Sequence, residues 1–133
     1  EPESGGVMTR IDSDLLELLD ACAQGRLNEV DYKSPPNTSV TVMLVSGGYS
    51  EDYKKGMVMT GFDELTEDCI IAHAGTKLND KGEVVTSGGR VIAVTAHGKN
   101  IEEARNKAYQ NVEKIKFEGV NYRHDIGLDL MKF

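Results

Sequence analysis

The triplet Ser-Gly-Gly occurs twice, as Ser46-Gly47-Gly48 and as Ser87-Gly88-Gly89. Paired glycines allow positive φ and close backbone approach, and exposed amides in such a loop can cradle an anion. The second copy runs into Arg90, whose planar guanidinium matches phosphate oxygens two at a time. Ser87, Gly88, Gly89 and Arg90 are therefore the candidate anion-binding residues. A plainer reading makes both copies tight turns at strand ends, with Arg90 on the surface. The nucleotide-loop patterns GxxxxGK[ST] and GxGxxG are both absent.

The other reactive residue types do not cluster along the chain. His73, His97 and His124 lie far apart, and none has a second histidine two, three or four positions away, so no local metal pair exists. His73 stands in an apolar run and reads as a hydrogen-bonded core or edge residue. Cys22 and Cys69 also sit in apolar runs without a CxxC spacing, and both read as buried thiols of a reducing compartment. There is no GxSxG and no cysteine beside a credible base, so no nucleophile is assigned. No catalytic residue and no metal ligand is named. The acids at 12, 14, 17 and 20 read as the solvated face of a helix. Lys77 has the position of a carrier lysine near a hairpin tip, but Thr76 and Leu78 flank it and the turn comes two residues later. It reads as an ordinary strand cation.

The elements that must hold these residues can be read from periodicity. Leu15, Leu18, Leu19 and Cys22 recur at helical spacing, with Asp12, Ser13 or Asp14 as cap and Gly25 as terminator. Residues 1–11 show no strong period. Residues 26–38 read as a linker around Pro35-Pro36. Strands are expected over 39–45, 57–62 and 68–75. A hairpin TKL/EVVT should turn at Asn79-Asp80-Lys81-Gly82, and a further strand runs over 90–96. Asn100 with Glu103 starts a long helix whose buried stripe is Ile101, Ala104, Ala108, Val112 and Ile115. Glu103 and Lys107 form an i,i+4 pair on its exposed side. The tail reads as a short strand with irregular turns. Short connections between consecutive strands imply antiparallel pairing, hence an α+β fold.

The chain has 133 residues, one domain or one domain with part of another, and a net charge of −7. The whole deficit lies in residues 1–66, with five basic groups against twelve acidic. Such a chain lacks the basic face that nucleic acid or an anionic membrane requires. No apolar run approaches the roughly 20 residues of a membrane helix. The start is acidic, with no initiator Met and no leader-like apolar run, as expected of a piece cut from something longer.

A series of short words then gives a resemblance. Glu1-Pro2-Glu3-Ser4, Val7 to Ile11, and Ser13 to Leu19 come first. VSGGY, Tyr53 to Gly56, Thr60-Gly61 and His73 to Thr76 follow. TSGGRV, VTA-x-G, the EEAR helix start and Tyr122 to Gly127 complete the set. In this order they resemble the end of the ATP-grasp domain and the C-terminal domain of the phosphoribosylamine–glycine ligase (glycinamide ribonucleotide synthetase) family. Glu1, Thr9, Ser50 and His124 depart from the family's usual Asp, Pro, Pro and basic residue.

The resemblance implies an ATP-dependent ligase of de novo purine synthesis, joining glycine to 5-phosphoribosylamine through a glycyl phosphate. Mg and ATP would be bound outside this chain, because the family's metal-binding Glu and Asn and its nucleotide lysine precede the first word. Residues 1–25 would then be the terminal segment and last helix of the ATP-grasp domain, 26–38 a linker, and 39–133 the C-terminal domain. That domain would be a small antiparallel β-barrel-like sheet flanked by helices. Its partners would be the ATP-grasp and N-terminal domains of the same chain, with glycine and 5-phosphoribosylamine as substrates, in the cytoplasm. The fragment alone would be inactive. The Ser87–Arg90 loop would reach toward the substrate phosphate. The alternative is a non-catalytic binding or assembly module of a different multidomain protein.

Overall fold

A computed structural model of the chain describes residues 2–132. These residues hold three α-helices, α1 (Pro2–Met8), α2 (Leu15–Ala23) and α3 (Ile101–Val112), and five strands, β1 (Thr38–Val45), β2 (Cys69–His73), β3 (Thr76–Leu78), β4 (Val84–Thr86) and β5 (Arg90–Gly98). β1, β5 and β2 form one antiparallel sheet with β5 in the centre, and β3 and β4 form a separate hairpin. The architecture is the expected α+β, antiparallel and flanked by helices. Among the described residues the two sheets stay separate and do not close into a barrel.

The register explains the core. Val40, Ala96 and Cys69 stand in one row across the sheet, Val42, Val94 and Ile71 in the next, and Leu44, Ile92 and His73 in the third. Val40, Val42, Leu44, Ile92, Val94 and Ala96 are buried and pack against Ala104, Ala108, Val112 and Ile115, the stripe of α3 and the residue beyond it. Alternate residues on one strand face are thus matched to a 3.6-residue stripe on one helix. The central strand is buried on both faces from Val91 to Ala96. On the opposite face Thr41 and Thr95 hydroxyls hydrogen-bond at 2.7 Å.

The ends of the helices are specified locally. Asn100 Oδ1 accepts from the Glu103 amide at 2.9 Å, and Glu103 reaches back to the Lys99 amide at 3.0 Å rather than to Asn100 itself. Asp14 caps α2 by accepting from the Glu17 amide. Gly25, at φ 69°, ends α2 as Arg26 N donates to Ala21 O and Gly25 N to Cys22 O, which ties off the last carbonyls. The hairpin turns where expected, with Asn79 Oδ1 accepting from the Lys81 and Glu83 amides.

Four local expectations are corrected. Residues 2–8 are helical although they lack a period: α1 docks through Gly5 and Gly6, where an added Cβ would stand 3.3 Å from Thr41 Cγ2 and 3.1 Å from Ser39 Oγ. Residues 57–62 make no regular strand. They form single bridges, Val58 with Val85 and Thr60 with Lys116, because Gly61 at φ 93° turns the chain into a short 3-10 helix. Among its described residues the tail likewise contributes a single bridge, at Asn121, in place of a short strand. Cys22 is exposed, since α2 buries Leu18 and Ala21 instead of the line through Leu15, Leu19 and Cys22. Cys69 is half-buried, and burial first, then the nearby Asp68 charge, pushes its thiol pKa up.

Candidate anion-binding cleft

The two Ser-Gly-Gly words come together. Buried Ser46, at the end of β1, donates its amide to Gly89 O at 2.8 Å and its hydroxyl to Gly88 O at 2.9 Å. Ser87 N donates to Gly75 O at 2.8 Å, so this amide is already spent inside the fold and is withdrawn from any anion. Gly88 and Gly75 touch through their backbones; a Cβ on Gly88 would stand 3.1 Å from Gly75 Cα. Gly89 is buried with the Tyr49 ring lying where its Cβ would be. Glycine is required there by close approach rather than by positive φ. Three of the four predicted residues therefore form the packed support of the loop.

Arg90, the fourth, opens β5 and is exposed. It lines a cleft of about 370 Å³ together with Met43, Tyr49, Asn121, Tyr122 and Arg123. The cleft lies over the end of β1, where Val45 and Asn121 exchange backbone hydrogen bonds of 2.8 and 3.0 Å. Tyr49 meets Tyr53 edge to face at 6.1 Å. Tyr122 leans on His124 at 4.6 Å, and burial raises its phenol pKa, so the hydroxyl stays neutral. Arg123 pairs with Asp125 through Nε and Nη2 at 2.9 and 3.0 Å, which holds the Asp125 carboxyl below its ordinary range. Arg90, Arg123, Tyr49, Tyr122 and Asn121 share this wall with Val42, Met43, Val45 and Ile126, so the cleft is mainly apolar with a few polar groups, the usual make-up of a small-molecule site.

Arg123, Tyr49 and Asn121 are absent from the candidate residues read from sequence. Their signal was weak: Tyr49 directly follows the first glycine pair, and Arg123 stands in an irregular segment with no period. His73 is exposed on the edge strand β2, bonded to Thr76 Oγ1 at 2.8 Å and stacked on Phe62 at 5.8 Å, in keeping with the edge alternative. His97 bonds Thr9 Oγ1 at 3.1 Å and ties α1 to β5. No group of three or more metal-ligating side chains gathers among the described residues.

Residues 39–129 match the family model described as phosphoribosylglycinamide synthetase, C domain. The chain belongs to this family. It is 46% identical over 128 residues to a phosphoribosylamine–glycine ligase of Yersinia pestis, covering 96% of this chain and 30% of that protein. It is 43% identical over 126 residues to one of Neisseria meningitidis, covering 95% and 30%. A bifunctional purine biosynthetic protein of Dictyostelium discoideum is 40% identical over 129 residues, 96% of this chain and 16% of that protein. The fold is that of a crystal structure of phosphoribosylamine–glycine ligase from Thermotoga maritima, with a TM-score of 0.73 and 34% identity over 94% of this chain and 30% of the other. The chain thus spans about 30% of the length of the ligases it matches. Among the described residues no helix is long and apolar enough to cross a membrane.

Proposed function

We propose that this chain is the C-terminal domain of an ATP-dependent ligase that joins glycine to 5-phosphoribosylamine to give glycinamide ribonucleotide. Similarity to proteins named for that activity along nearly all of this chain carries the reading. On this reading residues 1–25 close the ATP-grasp domain, 26–38 link, and 39–133 form one wall of the active site. ATP and magnesium belong to the remainder of the ligase. A cytoplasmic setting goes with the reading, as do two cysteines that form no disulfide.

The role of this domain is to hold the phosphoribosyl end. A phosphate bound away from the reacting amine supplies binding energy that can orient that amine toward glycyl phosphate. Arg90 is the residue of the Ser87–Arg90 loop placed to do this, with Ser87, Gly88 and Gly89 fixing the strand end that presents it. The test is the full-length protein carrying these residues, given glycine, phosphoribosylamine and Mg-ATP. The expected result is glycinamide ribonucleotide and ADP in equal amounts. A parent with an unrelated upstream domain and no such product would make this chain a binding module instead.

A further inference from the structure

We infer that Arg123 is a second cationic arm of the same anion site, held in place from behind by Arg105 and Tyr109 of α3. The inference rests on the reading that Arg90 meets a substrate phosphate, and it adds a residue that reading did not contain. Arg90 and Arg123 come from distant parts of the chain, one opening the central strand and one in the irregular segment after α3, yet they line one cleft. Each arginine offers a planar pair of donors, so two arginines on one cleft can serve a dianionic phosphate monoester.

In the segment bearing Arg123, Val120, Tyr122 and Ile126 pack against the core, and polar bonds hold the residues between and beside them. Asn121, Arg123, His124 and Asp125 are all exposed. Even so, Arg105 Nε donates to Ile126 O at 3.1 Å and Arg105 Nη2 to His124 O at 2.7 Å. Tyr109 OH donates to Arg123 O at 2.6 Å and accepts from Ile126 N at 3.2 Å. Arg105 also lies 4.6 Å from the Tyr109 ring centre, which steadies both donors. Ordering the exposed residues costs conformational entropy, and these bonds act with the packing of Tyr122 and Ile126 to fix where Arg123 stands.

Asp125 completes the arrangement. It takes the Nε and Nη2 edge of Arg123, fixing the plane of the guanidinium. The remaining edge, Nη1 with the second Nη2 hydrogen, has the geometry for a phosphate oxygen pair. Tyr49 and Tyr122 wall the same opening and can cover the apolar face of a ribose. Arg123 is thus a binding residue, and Arg105 and Tyr109 are positioning residues acting through it.

Full-length ligase tests this with four variants, Arg123→Gln, Arg123→Lys, Tyr109→Phe and Arg90→Ala, using phosphoribosylamine kinetics and competition by ribose 5-phosphate. The expected result for Arg123→Gln is a KM for phosphoribosylamine and a Ki for ribose 5-phosphate raised roughly 10- to 100-fold, with the ATP and glycine constants unchanged. Arg123→Lys keeps the charge without the fork and recovers part of the loss. Tyr109→Phe shifts the same KM, less strongly, at unchanged kcat. Arg90→Ala altering phosphoribosylamine use while Arg123→Gln does not would overturn this inference and leave Arg90's role standing. Unchanged kinetics in both would remove the cleft from the substrate site. Equal loss for all three substrates with a lowered melting temperature would reduce Arg123 to a structural residue.

Discussion

Asn111 is one of the few buried polar residues, 1% exposed on the sheet-facing side of α3. Its carbonyl accepts from the Thr66 amide at 2.9 Å, and its amide donates to Thr66 Oγ1 and Lys107 O, both at 2.9 Å. Asn111→Leu keeps the branched outline, in a somewhat larger side chain, but strands the Thr66 amide, so a loss of about 1–3 kcal/mol is expected, read by denaturant unfolding. A neutral result would mean water replaces the bond. His97 gives a second residue-scale expectation. Burial first, then the Arg10 and Lys107 charges, lowers its pKa below the ordinary 6.5. The unfolded chain therefore takes up the proton first as pH falls. The stabilisation is complete above 6.5 and is lost as pH drops toward the depressed folded value. Melting temperatures between pH 7.5 and 5 should fall further for the native chain than for His97→Gln; parallel curves would contradict this. At this scale sequence reading was uneven. Arg90 stood out as a candidate because a glycine pair marks a turn, whereas nothing local marks Arg123, whose position depends on bonds from Arg105 and Tyr109. Cys22 was misplaced because Leu15, Leu16, Leu18 and Leu19 surround α2 with apolar side chains, and spacing alone does not choose among its faces.

Among the elements, those whose instructions are local were legible. The cap and buried stripe of α3, the turn at Asn79–Gly82 and the strand at 90–98 all follow from short patterns. Elements stabilised by neighbours were not. The first helix contains Gly5 and Gly6, poor helix formers that are useful only because they let the helix approach Ser39 and Thr41. The placing of β5 between β1 and β2 is a long-range choice that turn lengths do not reveal. The reach of 57–62 is limited by Gly61, where a Cβ would strike the Lys114 carbonyl and φ is 93°. Gly61→Ala should therefore lower stability by about 1–2 kcal/mol or more, since αL strain and the clash act together. Asn100→Ala removes the α3 cap and should cost about 1 kcal/mol. Thermal unfolding of both variants checks the order of severity, and a larger effect at Asn100 than at Gly61 would contradict it.

At the scale of the whole molecule, α2 stands out because Leu15, Leu16 and Leu19 are 37%, 77% and 60% exposed. Val7, Met8 and Leu27 are exposed as well. The ligases this chain matches are more than three times its length, and if the chain is their C-terminal domain, as proposed, a further domain of the ligase is expected to cover this face. The chain by itself should then self-associate as concentration rises, and Leu16→Lys with Leu19→Lys should suppress it. Light scattering that shows a monomer throughout would count against the proposed cover. The fold class was readable from the order of elements, and the family from the order of short words, because both are properties of the whole string. Of the proposed site only Arg90 stood out in the sequence, since Arg90 and Arg123 come to line one cleft only after the sheet and the last segment are assembled. The most direct measurement is steady-state kinetics of Arg90→Ala in the full-length ligase, with melting temperature as control. The account predicts a roughly 10- to 150-fold loss in kcat/KM for phosphoribosylamine, the worth of a charged hydrogen bond, with the Michaelis constants for ATP and glycine nearly unchanged. Unchanged kinetics in a well-folded Arg90→Ala enzyme would contradict it.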